Sequence, residues 1–169
     1  MKLGVPMEPA GETRVAIAPS SMKKLLKAGF EVFIEKGAGK ASNYLDVDYE
    51  TAGAKISTRD EVLSCETIVS IRFPGIEGVA KGTRIACVAD PFRNPQYVQS
   101  CIDAGITLLS MDMIPRRLSR AQSMDVNSSQ DNLAGYKAVL LGAAHVPRGI
   151  PMMTTSAGTI RPAKVVIMG

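Results

Sequence analysis

The chain has 169 residues and a formal net charge of +4, with 46% hydrophobic and 21% charged residues. That size and balance suit one globular domain and argue against disorder. No apolar run reaches the 18 or so residues needed to span a bilayer, and the scattered basic residues lack the aromatic interleaving of a nucleic-acid stripe.

In chain order, Lys2–Val5 reads as a strand, and the opening MKLGVP as the start of a fold, not a signal peptide. Pro19-Ser20-Ser21 opens a helix with a Ser cap; Met22, Leu25 and Leu26 share a face, and Gly29 ends it. Glu31–Glu35 (EVFIE), Thr67–Ile71 (TIVSI), Arg84–Val88 (RIACV) and Ile106–Leu109 (ITLL) are strand candidates. Asn94–Ala104 reads as a helix, with Tyr97, Val98 and Cys101 at helical spacing. Alternation of strands and helices predicts an α/β fold: a mostly parallel, Rossmann-like or flavodoxin-like sheet with helices on both faces. Ser128-x-x-Asp131 resembles a capping box and predicts a helix to Ala144, followed by a Met/Thr/Ser-rich loop over 151–160. Lys164–Gly169 (KVVIMG) has a buried-strand pattern ending on glycine, as a dinucleotide-binding unit begins. The expected division is therefore 1–163 as one domain, with 164–169 the first strand of a missing NAD-binding domain.

Cys65, Cys87 and Cys101 lack CxxC spacing and read as buried free thiols of a reducing compartment. His145 is the only histidine, so neither a zinc site nor a serine triad has its ligands, and no metal is expected. Gly37-Ala38-Gly39 matches two glycines of G-x-G-x-x-G but has Ser42 at the third position; a tight turn is the simpler reading. Arg14, after the first strand, either grips a carboxylate or phosphate or pairs with an acid such as Glu12. Arg72 and Asp90 follow later strands and fall at the same sheet edge. The densest polar run, Pro115–Ser129, combines Arg116, Arg117, Arg120, Gln122 and Asp125 ahead of a helix. It reads either as an anion or amide site or as a solvated loop.

That run, PRRLSRAQSMDVNSSQDNLAGYKAV, resembles the matching stretch of NAD(P) transhydrogenase α subunits. KLGVPMEPAGETRVAIAP and EVFIEKGAGKAS resemble blocks shared by transhydrogenases and alanine dehydrogenases, and MMTTSAGTIRPAKVVIMG resembles the run into the NAD-binding domain. The resemblance implies the N-terminal part of a proton-translocating transhydrogenase. Such a component binds NAD(H) and passes hydride to NADP(H) on a partner domain, with a membrane domain coupling proton movement. It implies a homodimer, peripheral to a membrane on its cytoplasmic or mitochondrial-matrix face, and a fragment inactive alone. Arg117, Gln122 and Asp125 fall on the family's nicotinamide-proximal loop, and Ser128 on the Ser touching the carboxamide region; Gly169 is the first glycine of the NAD loop. One extra residue between Pro115 and Ser119 lets Arg116 compete with Arg117 for the first role. Against alanine dehydrogenase, Arg14 matches the substrate Arg, but Arg72 and Asp90 stand where that enzyme has Lys and His. A non-catalytic dimerisation or scaffold module is the remaining alternative.

Overall fold

The computed structural model describes Met1–Met168 and divides into two compact units, Met1–Asp125 and the residues from Val126 onward. The first unit is a six-stranded sheet in the order β3-β2-β1-β4-β5-β6. Its strands are β1 (Lys2–Val5), β2 (Glu31–Glu35), β3 (Lys55–Ser57), β4 (Thr67–Arg72), β5 (Arg84–Val88) and β6 (Thr107–Ser110). All five pairings are parallel, so each connection crosses over, as a Rossmann-like α/β fold requires.

Helices lie in four of the five crossovers, all but that from β4 to β5: α1 (Met22–Lys27), α2 (Asp46–Thr51), α3 (Arg59–Leu63) and α4 (Pro95–Ala104). The expected first helix begins as a 3-10 turn over Pro19–Ser21, and Ser21 makes no side-chain cap bond, contrary to the expected Ser cap. Proline at its first position supplies the pre-set φ instead. Gly29 ends this segment at φ +84, a conformation open to glycine. Three elements, α2, β3 and α3, were not among those expected. Yet α3 has a plain start signal: Thr58 Oγ1 accepts the Glu61 N–H, and the Glu61 carboxylate accepts the Thr58 N–H.

The apolar core falls into two clusters. One joins Leu3, Val5, Val32 and Ile34 to Met22 and Tyr49; the other joins Ile68, Ile85 and Cys87 to Cys101 and Ile106. Gly4 lies between strand and helix at very close range: a Cβ there would stand 2.3 Å from the Val62 carbonyl oxygen. Only glycine lets α3 seat against β1.

The second unit contains α5 (Val126–His145) and a hairpin of β7 (Met153–Thr155) with β8 (Gly158–Ile160). Two expectations are corrected here. The helix starts at Val126, so Ser128 and Asp131 lie within its first two turns and do not form a cap at its start. The stretch expected to be a loop over 151–160 contains the hairpin, because Ser156-Ala157 form a two-residue turn, Gly158 takes up φ +129 as β8 begins, and β-branched threonines flank it. Lys164–Met168 also depart from expectation. They form no strand, and Val166 and Ile167 are each 83% exposed. A strand exists only where a neighbour takes its hydrogen bonds, and among the described residues none lies alongside. Gly169 lies outside the described residues.

Candidate functional site

Between β1 and β4 the strand order reverses direction, and in open α/β sheets ligands bind beyond the carboxyl ends at such a switch point. The loop after β1, Pro6–Arg14, lies there with the end of β4. The Glu8 carboxylate accepts the backbone N–H groups of Ile71 (2.5 Å) and Arg72 (2.9 Å). These amides sit at an irregularity in the β4–β5 register between Val69 and Arg72, and Glu8 supplies an acceptor at that point. Burial pushes the Glu8 carboxyl above its ordinary value against those two bonds.

Glu12 is the hub of the loop. Its Oε1 accepts the Arg14 Nε–H at 2.7 Å, and its Oε2 takes the Arg14 terminal nitrogen at 2.7 Å and the Arg72 Nε–H at 3.1 Å. The Arg14 hydrogen bonds hold the Glu12 carboxyl down at about 2. Of the two readings of Arg14, the acid pairing is therefore present. Arg14 and Arg72, expected at one sheet edge, meet on this carboxylate. Asp90 does not join them; it adopts φ +45 and pairs with Arg93 at 3.7 Å. Glu35, buried at the end of β2, accepts the Met7 N–H at 2.7 Å and Arg59 at 3.0 Å.

Two cavities border this loop. One of about 170 Å³ is lined by Pro6–Pro9, Arg59, Ser70 and Arg72–Pro74; one of about 560 Å³ by Met7–Arg14, Gly37, Ala38, Lys40 and Ala41. Gly37 adopts φ +80, while a Cβ on Gly39 would stand 2.6 Å from the Tyr49 ring. Gly39 thus serves a turn packed closely on Tyr49, while Gly37 faces open space at the edge of the larger cavity.

The polar run before α5 is the second candidate. Asp125 is shielded, and its Oδ1 stands 3.8 Å from Arg116 Nε. Of the two competing arginines, Arg116 is thus the one beside Asp125. Arg117 and Gln122 are exposed, with Gln122 starting a 3-10 turn (Gln122–Met124) anchored by buried Ala121. Ser128 lies on α5 in the second unit. The guanidinium of Arg117 and the carboxamide of Gln122 are both free to reach solvent, and each can hydrogen-bond a polar ligand. Nothing here resembles a nucleophile: burial raises all three thiols, Cys87 to about 12. Among the described residues no His/Cys/Asp/Glu group could hold a metal, and no helix is long and apolar enough to cross a membrane.

A family model described as alanine dehydrogenase/PNT, N-terminal domain, matches residues 4–134. An NAD(P) transhydrogenase subunit alpha polypeptide of Rhodospirillum rubrum is 42% identical over 180 residues, covering 100% of this chain and 47% of that protein. A solved structure of a transhydrogenase from Sinorhizobium meliloti superposes with a TM-score of 0.91 at 40% identity, covering 96% of this chain and 50% of that one. The alanine dehydrogenase of Methanococcus maripaludis is more distant, 30% identical over 178 residues, covering 100% of this chain and 47% of that protein. The chain spans about half the length of the curated relatives it matches.

Proposed function

Because this chain belongs to the alanine dehydrogenase/PNT N-terminal domain family, we propose that it is the N-terminal part of a proton-translocating NAD(P) transhydrogenase, on the NAD(H) side of hydride transfer. The observation that carries this reading is the likeness of this whole chain to part of a transhydrogenase α subunit, at 42% identity against 30% for alanine dehydrogenase. Two positions agree. Arg72 is tied to Glu12, and Asp90 faces Arg93. A guanidinium and a carboxylate thus stand where the resemblance places the Lys and His of an oxidative deamination, and each is engaged in an ion pair.

Hydride passes between two nicotinamides without a protein acid or base. NAD(H) supplies the hydride chemistry; the chain supplies position and exclusion of water. Gln122 and Arg117 hold the carboxamide through their N–H donors. Asp125 keeps the adjoining loop in place through Arg116, and Ser128 adds a hydroxyl contact to the carboxamide region. NADP(H) sits on a partner domain, a membrane domain couples proton movement, and the subunit works as a homodimer at the cytoplasmic or matrix face. Gly169 belongs to the pyrophosphate loop in this reading.

The test is Gln122→Asn in the full-length subunit assembled with its NADP(H)-binding partner. A side chain one methylene shorter keeps its polarity and loses reach. Single-turnover hydride transfer should fall on the order of a hundredfold, while equilibrium NADH titration shifts by no more than about twofold. A single-turnover rate within twofold of wild type removes the positioning role. A polypeptide of these 169 residues alone carries no G-x-G-x-x-G, so calorimetry should find NADH binding weaker than about millimolar.

A further inference from the structure

The β5–β6 ladder ends where Cys87 faces Ser110, and the chain after β6 turns into a 3-10 segment over Met111–Met113. The chain after β5 runs on to buried Ala89, past the point where β6 turns away. The Asp112 side chain takes the place of the departed strand. Its Oδ1 accepts the Ala89 N–H at 3.1 Å and the Ser110 hydroxyl at 2.6 Å. A buried N–H needs an acceptor, and here a carboxylate supplies it. One oxygen thus ties together the end of β5, the end of β6 and the turn that follows.

That turn is the root of the loop carrying Arg117 and Gln122: Met113 and Ile114 alone separate Asp112 from Pro115. Beyond the root the loop is tied to itself. The N–H groups of Leu118, Ala121, Gln122, Met124 and Asp125 all donate to carbonyls within residues 115–122. Arg116 and Asp125 draw its two ends together as an ion pair at 3.8 Å. A segment knit in this way moves as one piece. Buried Ala121 adds an apolar contact, which has no direction; the directional tie at the root is that of Asp112.

Resting on the nicotinamide-facing role proposed above for this loop, we propose that Asp112 is a positioning residue: it sets the angle at which residues 115–125 leave the sheet, and so where Arg117 and Gln122 are presented. Gln122 lies well along the loop from the pin, so a small swing at the root is enlarged at its carboxamide. A misplacement of about 1 Å costs on the order of a hundredfold in hydride-transfer rate. What the pin requires is an acceptor oxygen at that reach, not a charge. Asparagine keeps a carbonyl oxygen there, and alanine removes it. Alanine also strands the Ala89 N–H, so a loss of thermal stability in D112A accompanies any role of Asp112. The readouts specific to positioning are the orientation of the loop, the split between rate and NADH affinity, and rescue by D112N.

The experiment has two arms. In the 169-residue chain, amide residual dipolar couplings measured by NMR report whether the loop shares one frame with the sheet. Wild type and D112N should each fit a single alignment tensor for the six strands and residues 116–125. D112A should need a second, weaker tensor for the loop, whose couplings still agree with one another. In the full-length subunit assembled with its NADP(H)-binding partner, D112A should slow single-turnover hydride transfer on the order of tenfold or more. NADH affinity should shift by no more than about twofold, and D112N should transfer hydride within about twofold of the wild-type rate. A wild-type loop that needs its own tensor overturns the proposal, whether or not D112A folds. So does a D112A loop that keeps the tensor of the sheet, or a D112N rate as low as that of D112A. A D112A rate within about twofold of wild type, with Gln122→Asn slow, also overturns it. If Gln122→Asn is as fast as wild type while D112A frees the loop, the role proposed for the loop falls and the pin stands.

Discussion

Glu12 carries a pH signature of its own. Its folded value of about 2 lies below the ordinary 4.5, so its stabilising contribution is present in full above 4.5 and is lost as pH falls toward 2. Glu12→Gln should lower unfolding stability by about 1–3 kcal/mol at pH 7, the scale of a hydrogen-bonded charge in a sheltered position. Urea titrations of wild type and E12Q should converge as pH approaches 2, and a gap that stays constant across that range contradicts the assignment. The thiols make a second case. Cys87 is fully buried and its thiol is pushed up to about 12, so it is protonated throughout the neutral range. A thiol-specific colorimetric reagent at pH 8 should leave it unmodified in the native chain and react once urea unfolds the chain. Burial of these cysteines was legible from their apolar flanks. The Glu12–Arg14–Arg72 bridge was only half legible: adjacency suggested Glu12 with Arg14, and the strand pattern put Arg72 at the same sheet edge, but nothing local announced that both arginines would share one carboxylate. Sixty residues that include β2 and β3 separate Glu12 from Arg72, and linear spacing does not encode their meeting.

Among the elements, α3 and its neighbours show what the sequence signals can and cannot carry. The strands β1, β2, β4 and β5 were readable because each is a run of β-branched and aliphatic residues between turn formers. The five-residue α3 and three-residue β3 are too short for a period to repeat. Their existence rests on packing and on one cap. Thr58→Ala should cost about 1 kcal/mol by removing that cap. Gly4→Ala should cost more, about 2–3 kcal/mol, because the added methyl meets backbone and not a flexible side-chain end. Thermal unfolding of both variants tests the order, and a Gly4→Ala chain as stable as wild type would mean that α3 seats differently. The KVVIM run illustrates the opposite failure. Its apolar pattern signals a strand, yet pattern alone forms no ladder, and Lys164–Met168 stay irregular among the described residues. The polar run before α5 was legible as a cluster but not as a geometry. That Arg116 and not Arg117 neighbours Asp125 depends on how the loop turns, which residue spacing does not encode.

At the scale of the whole molecule, α5 is the anomaly. From Leu133 to Ala144 it carries one charged residue, Lys137, and Leu133, Tyr136 and Val139 are each about 60% exposed or more. A helix apolar all round belongs in an interior. The chain by itself should therefore self-associate, and sedimentation velocity should show an average mass that rises with concentration. Leu140→Lys should shift the distribution toward monomer; a concentration-independent monomer in the wild type contradicts this. The sheet order has a consequence of another kind, in the order of synthesis. β1 leaves the ribosome first yet occupies the middle of the sheet, flanked by β2 and β4. β2 follows it closely, but β4 begins only at Thr67, roughly 3–12 s later at ordinary elongation rates of about 5–20 residues per second. For that interval one side of the nascent β1 holds out unpaired N–H and C=O groups to whatever extended chain is nearest. Slowing translation between codons 36 and 66 should lengthen this window and raise the aggregated fraction, with the finished sequence unchanged.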